Sequence, residues 1–150
     1  MAMDAEQFLE ESRRVLLACS SESFEHVAAH LERMETQIAT AERDKLEAQA
    51  WLLRLRLTAL QLCKRPLEEV EPFARALLEE ERLSAFGRLQ SIGAFAAYCR
   101  DRGRPDVGVV FLEDALSRVD WATVTAVLKA EARAAYGKLL TELRGYAGAP

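Results

Sequence analysis

The chain has 150 residues, half of them hydrophobic and 29% charged, with seven glycines, four prolines and a formal net charge of −4 at pH 7. A chain of this length buries roughly two-thirds of its unfolded surface, so it folds without a disulfide or metal staple. The apolar content excludes disorder, the scarcity of Gly and Pro excludes collagen-like and low-complexity chains, and the acidic balance argues against a nucleic-acid partner.

The chain reads as helical from end to end. Ala, Leu, Glu and Arg dominate, apolar residues recur at helical spacing, and there is no Asn-Gly or Asp-Gly hairpin turn. A first helix is predicted over 4–18, ended by Cys19-Ser20-Ser21, and a second over 23–39. In the second, Phe24, Val27, Ala28, Leu31, Met34 and Ile38 form one stripe, the mark of a single buried face.

The third helix, predicted over 41–62, is apolar on two opposing sides. Leu46, Ala50, Leu53, Leu57 and Leu60 form one stripe; Ala48, Trp51, Leu52, Leu55, Ala59 and Leu62 form the other. Such a helix is sandwiched between two layers, as in stacked helical hairpins. A fourth helix follows over 66–78, with Pro66 as its first residue and Pro72 predicting a kink or a displaced start. A fifth spans 83–100 and closes at Gly103, suited to a C-cap, and Pro105, suited to the next N-terminus. A sixth covers 106–119 and a seventh 121–144, with a tail from residue 145 that should fray.

Sliding the chain on itself gives an echo at an offset of 39 residues. Arg65-Pro66 falls on Arg104-Pro105, Val70 on Val109, Phe73 on Leu112 and Ala76-Leu77 on Ala115-Leu116. Upstream, Leu53, Leu57 and Leu60 fall on Ile92, Ala96 and Cys99. The content is a hairpin made twice: a long two-faced helix, an Arg-Pro turn and a shorter helix.

Gly93, Gly108, Phe111-Leu112 and Ala115-Leu116 take the small, paired-bulky and Ala-Leu positions of a tetratricopeptide-type repeat. Residues 43–120 resemble that family, with a period of 39 that implies a first helix about one turn longer than the family's. The resemblance implies an all-α short solenoid of stacked antiparallel hairpins, with a two-hairpin body over 41–120 between an acidic N-terminal hairpin (1–40) and a capping helix (121–146), in one domain. An irregular helical bundle is the alternative. The resemblance also implies a non-catalytic module, an adaptor, regulatory subunit or small acidic chaperone, that binds a peptide or helix of another protein. Neither an enzyme activity nor a cofactor is expected.

Charge is uneven along the chain. Residues 1–50 carry 11 acidic and 5 basic side chains, whereas residues 51–100 carry 8 basic and 6 acidic ones. The partner-binding candidates are therefore Arg54 and Arg56 beside the stripes of the third helix, Arg100 and Arg104 at the turn, and the aromatics Phe95 and Tyr98. His26 and His30, at i and i+4, could share a metal or small ligand; without a Glu in the HExxH position or a second histidine-bearing helix, they read instead as surface residues. Pairing of the long helices across a two-fold axis would make a homodimer.

Acidic residues precede the first basic one, the wrong sign for a targeting peptide, and no uncharged apolar stretch reaches the ~18 residues that span a bilayer. Cys19, Cys63 and Cys99 are odd in number, with no CxxC pair, which reads as reduced thiols in a cytoplasmic protein. Cys63, beside Lys64-Arg65, and Cys99, beside Arg100, have the basic neighbours that a reactive thiol needs.

Overall fold

The computed structural model describes residues 4–39 and 45–147. The expected start of the third helix at residue 41 and the end of the expected tail lie outside these residues. Within them are seven α-helices and no strand: α1 (Ala5–Ser21), α2 (Phe24–Ala39), α3 (Lys45–Leu62), α4 (Leu67–Glu79), α5 (Ala85–Asp101), α6 (Pro105–Ser117) and α7 (Ala126–Ala147). The all-α expectation holds, with helix ends displaced by a few residues.

Local chemistry sets those ends. Asp4 caps α1 through a reciprocal box: its carboxylate accepts from Gln7 N at 2.8 Å, and Gln7 Oε1 accepts from Asp4 N at 3.1 Å. Ser84 caps α5, its Oγ accepting from Gly87 N at 3.1 Å. Pro72 neither kinks α4 into two helices nor delays its start. It stands on the exposed side of an unbroken helix, close enough to the N-terminus to forfeit only one backbone bond. Trp121 opens a 3-10 turn, Trp121–Thr123, and not the seventh helix, because Asp120 caps Ala122 N at 3.1 Å and extended Val124 breaks the run. At the other end α7 continues through the expected fray point to Ala147.

The chain divides into two compact units, Met1–Leu83 and Ser84–Pro150, so the parting falls between α4 and α5. In the first unit, Val27, Leu31, Met34 and Ile38 of α2 meet Val15 of α1 and Leu52, Leu55 and Ala59 of α3 in one apolar core. The opposite side of α3 is also buried, at Ala50, Leu57 and Leu60, and α4 packs on this helix with Leu67, Val70, Ala74 and Leu77 buried. The two-sided reading of α3 is correct along its middle, but Trp51 and Leu62 stand out to solvent.

In the second unit α5, α6 and α7 pack on one another. Phe95 and Phe111 meet edge to face, centroids 4.6 Å apart. Gly108 lets three helices approach. A Cβ there would stand 3.1 Å from the Ala96 oxygen, 3.2 Å from Cys99 Cβ and 3.4 Å from Leu143 Cδ1. Gly93 makes room for the Tyr136 ring, whose hydroxyl donates to the Leu89 carbonyl one turn earlier.

Burial raises the Tyr136 phenol pKa above its ordinary value near 10. Below about pH 10 the phenol is protonated in both states and its contribution is complete; above it the unfolded chain ionises first, so stability falls as pH rises toward the folded-state value. Tyr136→Phe should therefore cost about 1 kcal/mol at neutral pH and flatten this alkaline loss, as urea titrations across pH would read. Gly93→Ala should disturb the same contact, since the new Cβ would lie 2.7 Å from Tyr136 Cε1.

The 39-residue echo has a structural counterpart in the turns. Arg65 N bonds the Leu60 carbonyl at 3.1 Å and Lys64 N the Gln61 carbonyl at 3.0 Å; Arg104 N bonds Cys99 at 2.8 Å and Gly103 N bonds Arg100 at 3.0 Å. Both are Schellman closures around a left-handed residue, Lys64 at φ 54° and Gly103 at φ 75°. Past the turns the register shifts by one. Buried Val70, Ala74 and Leu77 correspond to buried Gly108, Leu112 and Ala115 at an offset of 38, whereas Ala76, paired with Ala115 at 39, is exposed. Lys64 carries the strain that Gly103 avoids. Lys64→Gly should stabilise by up to about 1 kcal/mol and Gly103→Ala should destabilise by about as much, measured as opposite shifts of the thermal midpoint.

Candidate partner-binding surface

Four of the six expected contact residues are arginines, and each is already engaged within the chain. Arg56 bonds Glu35 of α2, Nη2 to Oε2 at 3.0 Å, and lies over the Phe73 ring at 5.5 Å from its centroid. Arg100 bonds Asp101 at 3.2 Å and Glu142 of α7 at 2.8 Å. Arg104 forks onto both oxygens of Asp106 at 3.1 Å, which holds that carboxyl below the usual carboxylate range. Arg54 is half-buried on α3 and also engaged. Phe95 and Tyr98, expected at the surface, are both buried, Phe95 completely. Phe95 fills the core against Phe111, so it offers a partner nothing in this conformation.

Arg65 repeats the Arg104 pattern at the equivalent turn. It grips Glu69 with two bonds, at 2.9 and 2.8 Å, and lies 4.1 Å over the Phe24 ring, tying the start of α2 to the α3–α4 turn. The Glu69 carboxyl is likewise held low by this guanidinium. Such solvent-exposed pairs are screened by water and contribute little to stability, so a partner's carboxylates could exchange for them at little cost.

The two histidines do not converge. His26 Nδ1 lies 3.1 Å from its neighbour Ser23 Oγ, while His30 Nε2 meets the Glu11 carboxylate of α1. His30 is thus half-buried between two helices and not a surface residue as expected, and Glu11 also receives Arg14 at 3.3 Å. Among the described residues no group of three or more His, Cys, Asp or Glu side chains is placed to hold a metal ion.

One feature of the surface was not anticipated. α1 buries Val15 and partly covers Phe8, Ala18 and Cys19, and its other side turns Leu9, Leu16 and Leu17 outward, with exposures of 54%, 37% and 71%. The sequence signal is the doublets Phe8-Leu9 and Leu16-Leu17: adjacent residues on a helix point about 100° apart, so one face cannot bury both members. Trp51 on α3 and Val110 on α6 are further exposed apolar side chains, at 45% and 60%.

No protein-family model, curated protein or solved structure matches this chain. Among the described residues no helix is long and apolar enough to cross a membrane.

Proposed function

We propose that the protein is a non-catalytic interaction module that receives a peptide or helix of a partner protein, acting in the cytoplasm as an adaptor, regulatory subunit or small acidic chaperone. The observation that supports this reading best is the outward apolar edge of α1. Three leucines in solvent on a helix that already has a buried face cost solubility and add nothing to the core, and covering them on a partner recovers that cost. The acidic excess of the first unit, 17 acidic against 11 basic side chains, favours a partner segment that combines apolar anchors with basic flanks.

The test is capture from native lysate on immobilised full-length chain, compared with the Leu9→Gln/Leu16→Gln/Leu17→Gln variant. The expected result is a partner retained reproducibly by the wild type and weakened at least ~10-fold by the triple change, in line with loss of a few kcal/mol of apolar burial. The variant should keep its circular dichroism, because these side chains lie outside the core. Absence of any reproducible partner, or equal retention by both proteins, would count against the module. Sedimentation equilibrium on the same pair detects whether the occupant is a second copy of this chain.

A further inference from the structure

Cys19, near the C-terminal end of α1, and Cys63, just past α3, come together at one carbonyl oxygen. Cys19 Sγ donates to the Ala59 oxygen at 3.7 Å, and the Cys63 backbone N–H donates to that same oxygen at 2.9 Å. Ala59 is fully buried in the first unit's core; both cysteine side chains pack against this core while remaining partly exposed. The two cysteines thus flank the same buried carbonyl, one through its sulfur and the other through its backbone N–H. Cys99 belongs to the second unit, where it is fully buried beside Gly108.

We propose that Cys19 and Cys63 form an oxidisable dithiol, which hydrogen peroxide converts to an intramolecular disulfide joining α1 to the C-terminal end of α3. Their roles differ. Burial, reinforced by the neighbouring Cys63, pushes the Cys19 thiol up to about 12, so Cys19 is protonated near neutral pH and is the poorer attacking group. Cys63, partly exposed and followed by Lys64 and Arg65, is the attacking thiol. Cys63 sulfur attacks one peroxide oxygen, the O–O bond breaks, and the second oxygen leaves as water after taking up a proton. The resulting sulfenic acid is attacked by Cys19 sulfur: the S–S bond forms, and the sulfenic oxygen leaves as a second water with the Cys19 proton. In total, two thiols are oxidised to one disulfide and one peroxide is reduced to two waters. The bond closes the loop that holds all of α2 and all of α3, which restricts the unfolded chain and fixes α1 on its neighbours.

The experiment treats reduced full-length chain with a small excess of hydrogen peroxide, quenches it, and reads intact mass and a non-reducing peptide map. The expected product is a monomer lighter by about 2 Da, with the Cys19 and Cys63 peptides linked and Cys99 alkylated only after denaturation. Dithiothreitol should restore the starting mass, and the oxidised chain should melt at higher temperature than the reduced one. In Cys19→Ser the reaction should stop at a Cys63 sulfenic acid that dimedone traps; in Cys63→Ser the 2 Da loss should vanish. Two outcomes on the wild type overturn the proposal whether or not the variants fold. One is mass gain in steps of about 16 Da with no cross-link, and the other is a disulfide that uses Cys99 or a second chain.

Discussion

Alanine in place of Phe111 should lower the stability of the second unit by about 3–5 kcal/mol, enough to leave it partly unfolded at room temperature. Phe111 is fully buried and sits edge to face on Phe95, itself fully buried, so truncation removes the apolar transfer energy, opens a cavity beside a second ring and forfeits the ring–ring term. Collapse is hindered because Gly108, one turn earlier on α6, is already in tight contact with α5 and α7. Phe73 provides the comparison. At the 38-residue offset it is the counterpart of Phe111 in the first hairpin, but it is only half-buried beneath the Arg56 guanidinium. Phe73→Ala should therefore cost clearly less, about 1–2 kcal/mol. Urea denaturation followed by circular dichroism measures both; equal losses would show that the second hairpin's ring pair carries no special weight.

Met34→Ala should cost the first unit about 2–5 kcal/mol, whereas Met34→Leu should cost less than about 1.5 kcal/mol. Met34 is 1% exposed and lies in the stripe Val27, Leu31, Met34, Ile38, where α2 meets α1 and α3. Leucine preserves the volume with a stiffer chain, so the difference between the two variants isolates the cavity from the loss of methionine's flexibility. A loss from the leucine variant as large as that from alanine would mean that the site tolerates no change of shape, and that the core is more rigidly fitted than its mixture of Val, Leu, Met and Ile indicates.

The helices were legible because helix formation is mostly a local matter. The stripe of α2 is written at three- and four-residue spacing, and the two-sided α3 is visible in the same way, because backbone bonds between residues four apart fix which side chains share a face. The repeated turn was legible for a similar reason: the Arg-Pro pair marks where a helix must stop and another start, and both closures use the same two backbone bonds. The shift from 39 to 38 beyond the turn was not visible. Sequence identity kept Ala76-Leu77 on Ala115-Leu116, while the depth of packing moved each helix by one residue.

The candidate site shows the opposite balance. Arg56, Arg100 and Arg104 are rightly placed beside stripes and at turns, yet the first two are met by carboxylates from distant parts of the chain, Glu35 and Glu142. Tyr98 has the spacing of a core-edge residue, and periodicity alone does not say whether an edge ends in solvent or under another helix. The outward leucines of α1 were written in the doublets, but which member of each doublet faces out depends on where α2 and α3 pack.

The sequence by itself determined the all-α class, the number of helices and the two equivalent turns, since each depends on interactions within a few residues. Only the tertiary structure decided which arginines meet carboxylates from other helices, that Phe95 belongs to a core, that His30 faces Glu11 and that the Cys19 sulfur meets the Ala59 carbonyl that also accepts from Cys63 N. These pairings join residues far apart in the chain, and their partners are selected by which helix faces come together, a choice that helical periodicity leaves open.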